Sequence, residues 1–454
     1  MPSTHVERIV AEASRRGQVL GIRLSADDDA EGIDPWRFPP SRRRGERPLQ
    51  EPLPQTIRVL IGNQLYLQKD GLSAQLMNQL IRLAAFQNPE FYRAQKMRLS
   101  TFGKPRVVAC AEDFPKHIAL PRGCLDDLKS FLTSNGIGLT IHDERYGGVP
   151  CEFRFQGQLE SEQMKAVQEI LEFDNGVLVA PTGFGKTVVA ARIIAERRSN
   201  TLVLVHRKSL LDQWRERLAT FLGLTFKEIG TFSSERRKPG GVIDVASLQS
   251  LSRKGEVNDL VADYGHVIID ECHHIPAFTF ERVLKEAKAK YVLGLTATPI
   301  RKDGFHPIIM MQCGPIRARI RAQDTGRFRP FRQIALLRKT DFELPEGNNE
   351  PTIHDVYAAI INDSKRNALI LRDIADAVAD GRCPLVLTER TAHLEYLAAE
   401  IAKTGCHVVV LRGGMGKKQR EAAYKQLESI PKHEQRVVLA TGRYAGEGFD
   451  DPRL

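Results

Sequence analysis

Apolar and polar positions along the chain switch between two periods, and the switches mark the predicted elements. Residues 6–18 (VERIVAEASRRGQ) carry an amphipathic helical pattern and Leu20–Leu24 a short strand-like one. From Ser25 to Gln55 the pattern lapses into scattered prolines around Arg42, Arg43 and Arg44, a composition that suits an exposed linker. That triplet either touches phosphates or is simply solvated. Patterning resumes with strand-like TIRVLIGNQLYL from Thr56, a turn at Lys69-Asp70-Gly71, and helical LSAQLMNQLIRLAAF, in which Leu76, Leu80, Leu83 and Ala84 share a face. RVVAC, HIAL, a helix from Cys124 to Thr133 and GLTIH complete a predicted small α+β domain.

Beyond Phe153 the rhythm changes. Val177-Leu178-Val179, TLVLVH, VIDVA, HVIID and YVLGLT are short β-rich runs separated by helix-length segments, the pattern of a parallel sheet with crossovers. A second series begins near Ser364: PLVLTER, a helix from His393 to Lys403, HVVVLRGG, a helix from Lys417 to Leu427, and RVVLATG. The chain reads as an α/β protein with these boundaries: an N-terminal segment and linker over 1–55, a small α+β accessory domain over 56–150, a nucleotide-type α/β domain over 151–304, a basic connector over 305–363, and a second, incomplete α/β domain over 364–454.

Composition narrows the function classes. With 454 residues, 42% of them hydrophobic, the chain can bury several cores. No run approaches a membrane span and MPSTHVERIVAEASRRG lacks a signal peptide's apolar core, so no membrane partner is expected and the cytoplasm is the expected compartment. Seven cysteines, odd in number and never spaced CxxC, argue for reduced thiols over disulfides or a zinc ribbon. A net charge of +10 favours a polyanionic partner, although a diffuse basic surface gives the same total. Phe91-Tyr92-Arg93 and Lys96-Met97-Arg98 read either as a nucleic-acid surface or as helix with aromatic core positions.

The candidate chemistry sits after the first strand of the larger α/β series. Ala180, Pro181, Thr182, Gly183, Phe184, Gly185, Lys186 and Thr187 stand between that strand and a helical pattern, the order of a phosphate cradle. Glycines let backbone N–H groups approach a phosphate, Lys186 reaches terminal phosphates, and Thr187 offers a hydroxyl to Mg2+. A plain glycine turn is the alternative, since Ala180 stands where a first glycine is usual. At another strand end, Asp270 can hold Mg2+ and Glu271 can orient and deprotonate a water. A zinc site from Cys272, His273 and His274 is disfavoured, because adjacent residues on an extended segment diverge.

The ordered set APTGFGKT, DECHH and Leu295-Thr296-Ala297-Thr298-Pro299 resembles the superfamily 2 helicases of the DExH type. The resemblance implies two RecA-like domains that close on ATP, the second only partly present. It makes Gln163 the adenine-contacting glutamine, and TLVLVHRKSLLDQW and DVASLQSL motifs Ia and Ib, with Arg207, Gln213, Ser247 and Gln249 as strand contacts. It assigns coupling between nucleotide and nucleic acid to His273, Thr296 and Thr298, and to Gly448 and Asp450 in a segment resembling motif V. Within the superfamily the chain is similar to the branch of the xeroderma pigmentosum group B helicase and restriction-enzyme res subunits, in which Arg-Glu-Asp is expected where Arg301-Lys302-Asp303 stands. That likeness suggests DNA as the track. The accessory module joined to this motor resembles the helicase part of primase-helicases of TOTE-type conflict systems, which implies a primase or nuclease partner domain and makes residues 1–55 a remnant.

Two further expectations concern nucleic acid and turnover. Arg317, Arg319 and Arg321 alternate and would line one face of a strand, where they either follow a phosphate backbone, as Arg301 could, or guard a solvated edge. The family's arginine-finger motif, QxxGRxxR, would lie beyond Leu454. The resemblance therefore implies an ATP-dependent DNA helicase or translocase in truncated form, which binds ATP and hydrolyses it poorly. The alternative is an ATP-binding nucleic-acid clamp or recruiting module without productive turnover.

Overall fold

The computed structural model describes residues 53–207, 209–233, 237–253, 256–274, 277–301, 303–321, 334–344, 352–431 and 433–442. The predicted elements within 6–24, the arginine triplet at 42–44, Lys302, Gly448 and Asp450 lie outside the described residues. The chain divides into two compact units, residues 1–330 and 331–454.

The first run expected as one strand is a hairpin. Gly62 donates its N–H to Gln64 O at 2.9 Å, reversing the chain between β1 (Thr56–Ile61) and β2 (Gln64–Gln68). The helix that follows, α1 (Ala74–Arg82), is capped by Ser73, whose hydroxyl accepts from Leu76 N. It stops earlier than the apolar pattern predicts: Leu83 is its C-cap, and Ala85–Gln87 becomes β3, paired antiparallel with β4 (Val107–Ala109). Between them, α2 (Pro89–Lys96) starts at Asn88 with proline in its first turn. With β5 (Glu112–Asp113), β6 (His117–Pro121), α3 (Leu125–Ser134) and β7 (Gly138–Asp143) the chain completes a five-stranded sheet of order β5-β6-β2-β1-β7.

After α4 (Ser161–Leu171) come β8 (Asn175–Val179), α5 (Lys186–Arg197), β9 (Thr201–Val205), α6 (Ser209–Leu222), β10 (Ile229–Phe232), β11 (Arg237–Lys238) and β12 (Ile243–Ser247). The series ends with β13 (His266–Ile269), α7 (Ala277–Glu286), β14 (Tyr291–Thr296), α8 (His306–Cys313) and β15 (Ile316–Arg319). The eight strands run β11-β10-β12-β9-β13-β14-β8-β15 and pair parallel throughout except at β11. Such strands are covered on both faces, which is why their sequences are near-continuous Val, Ile and Leu. One face, with Leu178, Val203, Ile268 and Leu293, packs under α4, α5 and α6. The other, with Val177, Leu202, Val267 and Ile269, shares one continuous core with Ile57, Val59, Leu128 and Leu132 of the N-terminal sheet.

A buried cation fixes that junction. Arg122, 4% exposed, donates to Ala289 O at 2.8 Å, to Asn63 O at 3.0 Å and to Ala287 O. Burial pulls its guanidinium down to about 10. Beside it Gly123 has no room for a side chain, since a Cβ would lie 2.1 Å from Met310 O.

In the second unit α9 (Ile353–Asn362) and α10 (Ser364–Ala379) precede β16 (Leu385–Thr388), α11 (Thr391–Ala402), β17 (His407–Leu411), α12 (Lys417–Ser429) and β18 (Arg436–Thr441). The sheet order is β16-β18-β17, all parallel. Alternation along β18 sends Val437 and Leu439 to a core with α10 and α11, and Val438 and Ala440 to one with α12. Helices on both faces of a parallel sheet are the RecA-like α/β pattern, and both units show it.

Candidate nucleotide site and its coupling network

The predicted site residues converge because β13, β14 and β8 are neighbours in the sheet and end on the same side. Ala180 continues β8 by donating its N–H to Thr296 O at 3.0 Å, so the phosphate-type loop hangs from the end of β14. Gly183 and Gly185 turn the loop at φ 82 and 90, a conformation glycine adopts at no steric cost. A Cβ at Gly185 would also strike Gln163 Nε2 at 2.7 Å. Helix α5 then starts at Lys186 with no acidic residue in its first turn, leaving its positive end for an anion. The loop fits a phosphate group: small residues allow approach, and Lys186 and Thr187 follow at once.

Gln163 is a buckle for that loop. Its amide donates to Phe184 O at 2.8 Å while its Oε1 accepts from Glu160 N at 3.0 Å in a capping box, so the side chain expected at adenine also holds α4 to the loop.

The carboxylates have distinct environments. Asp270 is 8% exposed and accepts from the indole Nε1 of Trp214 at 2.7 Å. Burial pushes its carboxyl up to about 6, against the pull of that hydrogen bond. Glu271 pairs with Lys186 at 2.7 Å and accepts from Ala297 N at 3.3 Å. It holds φ 42, a left-handed backbone that costs a non-glycine residue energy and persists where the surroundings enforce it. Cys272 points into the core, fully buried, with its thiol pushed well up by that burial, which suits packing and not metal binding.

A relay leads away from Glu271. His273 Nδ1 lies 3.4 Å from Glu271 and 2.7 Å from Thr296 Oγ1. Thr296 Oγ1 also donates to Thr298 O at 2.9 Å. Arg301 donates to His273 O at 2.6 Å and forms a forked pair with Asp303, which in turn accepts from Phe305 N at 3.1 Å. Arg301 is thus a brace between the DECHH segment and the residues after Pro299, whatever contact it also makes outside the fold.

Other candidates are dispersed. Arg207 and Gln249 are exposed, Gln213 is half-buried, and Ser247 is buried with its hydroxyl 2.5 Å from Ser250 Oγ. The arginine trio needs correction. Arg317 pairs with Asp126 at 2.6 Å, donates to Asn175 O and stacks on Phe173, so it closes the junction with the N-terminal sheet. A bulge after Ile316 breaks the alternation, and of the three only Arg319 and Arg321 are exposed. Trp214 carried no predicted role. Its signal was a tryptophan in a helix facing the carboxylate strand.

Residues 156–301 match the family described as type III restriction enzyme, res subunit. Over 198 residues the chain is 33% identical to the DNA 3'-5' helicase XPB of Mycobacterium tuberculosis, covering 42% of this chain and 34% of the relative. This stretch is thus similar in sequence both to the res-subunit family and to helicases of the XPB branch. The chain is also 35% identical, over 159 residues, to the DNA 3'-5' translocase XPB2 of Sulfurisphaera tokodaii, covering 35% of each chain. The chain therefore spans about a third of the length of these two relatives. Among solved structures, T4 UvsW aligns with 85% of this chain and 80% of its own at a TM-score of 0.46 and 14% identity. Among the described residues no helix is long and apolar enough to cross a membrane.

Proposed function

We propose that the chain is an ATP-dependent helicase or translocase motor acting on nucleic acid, with DNA as the track, in the cytoplasm. The observation that carries this is the Lys186–Glu271 pair at 2.7 Å, beside Asp270 and joined through Ala297, His273 and Thr296 to the segment after β14. Lys186 binds the terminal phosphates of ATP and gives up Glu271 in doing so. The released carboxylate accepts a proton from the attacking water. Thr187 and Asp270 would hold Mg2+, which when bound neutralises charge on the phosphates. Loss of the Lys186 pair also frees Ala297 N and His273 to rearrange, and that is the route by which nucleotide state reaches Thr296, Thr298 and Arg301.

ATP hydrolysis by the full chain, measured with and without single-stranded and duplex DNA, tests this. Stimulation by DNA, abolished in Lys186→Ala, is expected. Equal turnover with and without DNA, or unchanged turnover in the variant, defeats the motor reading.

A further inference from the structure

The accessory sheet carries a feature that the nucleotide site does not use. Between Phe91 and Ala111 the chain holds Arg93, Lys96, Arg98, Lys104 and Arg106 and no acidic residue. At the tip of this segment Phe102 is 96% exposed, flanked by Leu99 at 61% and Met97 at 62%. An isolated exposed phenylalanine is unremarkable, but three neighbouring large apolar side chains on one acid-free basic loop are a specific combination.

The loop is built and held. Leu99 N donates to Ala94 O at 2.8 Å, Lys104 N to Thr101 O at 3.1 Å and Phe102 N to Ser100 Oγ at 3.3 Å, while Arg98 adopts φ 54 to turn the chain out of α2. Asn88 clamps the base, its side chain donating to Pro105 O at 2.7 Å and its N–H to Arg106 O at 2.8 Å. Below the clamp Phe86 meets Phe305 edge to face at 6.2 Å, and a Cβ at Gly304 would lie 2.6 Å from Pro89. The loop is therefore mounted on the residues that follow the Arg301–Asp303 brace.

We propose that residues 97–104 form a finger that binds a nucleic-acid strand with unpaired bases: Phe102 stacks on a base while Arg98 and Lys104 hold the flanking phosphates. The proposal rests on the motor reading and adds to it a contact outside the motor domain. Charge complementarity selects the occupant, since a polyanion is the partner that matches an acid-free basic loop, and a bare aromatic ring is what an unpaired base can stack on. The mounting on Gly304 and Phe305 places the finger one packed contact away from the nucleotide relay.

The test uses the full chain and a fluorescein-labelled thymidine 20-mer, alone or as a blunt duplex, with binding read by anisotropy over a range of salt. Phe102→Ala weakens single-strand binding roughly 5- to 100-fold, Phe102→Trp restores it, and duplex binding changes much less. Arg98→Ala and Lys104→Ala each lower the salt slope by about 0.7. A 20-mer carrying one 2-aminopurine loses fluorescence on binding wild type and less on binding Phe102→Ala. Unfolding midpoints of the Phe102 and Arg98 variants, whose side chains are exposed, stay with wild type, and that of Lys104→Ala, at a half-buried position, stays close to it. If wild type binds the 20-mer and Phe102→Ala binds it equally well, the finger is refuted and the motor reading stands. If wild type binds no oligonucleotide, both fall. If Phe102→Ala abolishes self-association in sedimentation while leaving 20-mer binding intact, the loop is a contact between copies and the proposal is overturned.

Discussion

Replacing Arg122 tests how the N-terminal sheet is fastened to the eight-stranded sheet. Its guanidinium serves Asn63 O, Ala287 O and Ala289 O at once, and Ala287 and Ala289 are themselves fully buried. In Arg122→Ala both alanine carbonyls lose their donor where water cannot replace it, at about 1–3 kcal/mol each. The emptied space adds about 1 kcal/mol or more, so the sum centres near 5 kcal/mol. Recovery of the cost of burying the cation offsets part of this, which sets the expected net loss at about 3 kcal/mol. Arg122→Lys keeps the charge, but one ammonium cannot span three acceptors, and it should lose about half as much. Urea unfolding in a Trp36→Phe background, with Trp214 as the reporter, measures the series. A loss below about 1 kcal/mol in Arg122→Ala would show that the carbonyls find other partners and that the staple contributes little.

Further outcomes are expected. Glu271→Gln keeps ATP binding and lowers turnover by about a hundredfold or more, read by fluorescent-nucleotide titration beside steady-state hydrolysis. Trp214→Phe removes one hydrogen bond to a carboxylate, worth roughly 2 kcal/mol, and raises the Mg2+ concentration needed for half-maximal hydrolysis several-fold while leaving the fold intact. His266 is buried and burial pushes its imidazole down to about 3, so its contribution is complete above the unfolded value of 6.5 and is lost as pH falls below it. Asp270, raised from 3.8 to about 6, acts oppositely and returns stability over the same acid range. At pH 5 these are about 2 kcal/mol lost and about 1 kcal/mol regained. Asp270→Asn should therefore show a steeper acid limb than wild type in urea titrations from pH 7.5 to 5, and parallel limbs would contradict the assignment.

The central strands were legible because burial on both faces writes itself as runs such as Val177–Val179 and Thr201–Val205. The loop from Ala180 to Thr187 and the Asp270–Glu271 pair stand out in the sequence because they are the residue types phosphate chemistry would use at strand ends, and the sheet brings those ends side by side. What escaped depended on partners distant in sequence. Ala85–Gln87 continues an apolar helical pattern and becomes a strand only because Val107–Ala109 pairs with it. Ile229–Phe232 is too short to stand out and is a strand by virtue of β12. Arg317 looked like one of three surface charges, and Asp126, far along the chain, claims it. Gln163 illustrates the converse: a residue singled out for a ligand also has a structural task beside it.

Among the described residues the eight-stranded sheet ends, on the β10 side, in a two-residue strand, Arg237 and Lys238, both exposed and running against the others. An invading strand from another molecule would meet two like charges at that point of entry. The consequence is one of colloidal behaviour: along that margin the sheet resists strand-to-strand aggregation, and replacing both residues with valine should lower the protein's solubility before it changes its chemistry.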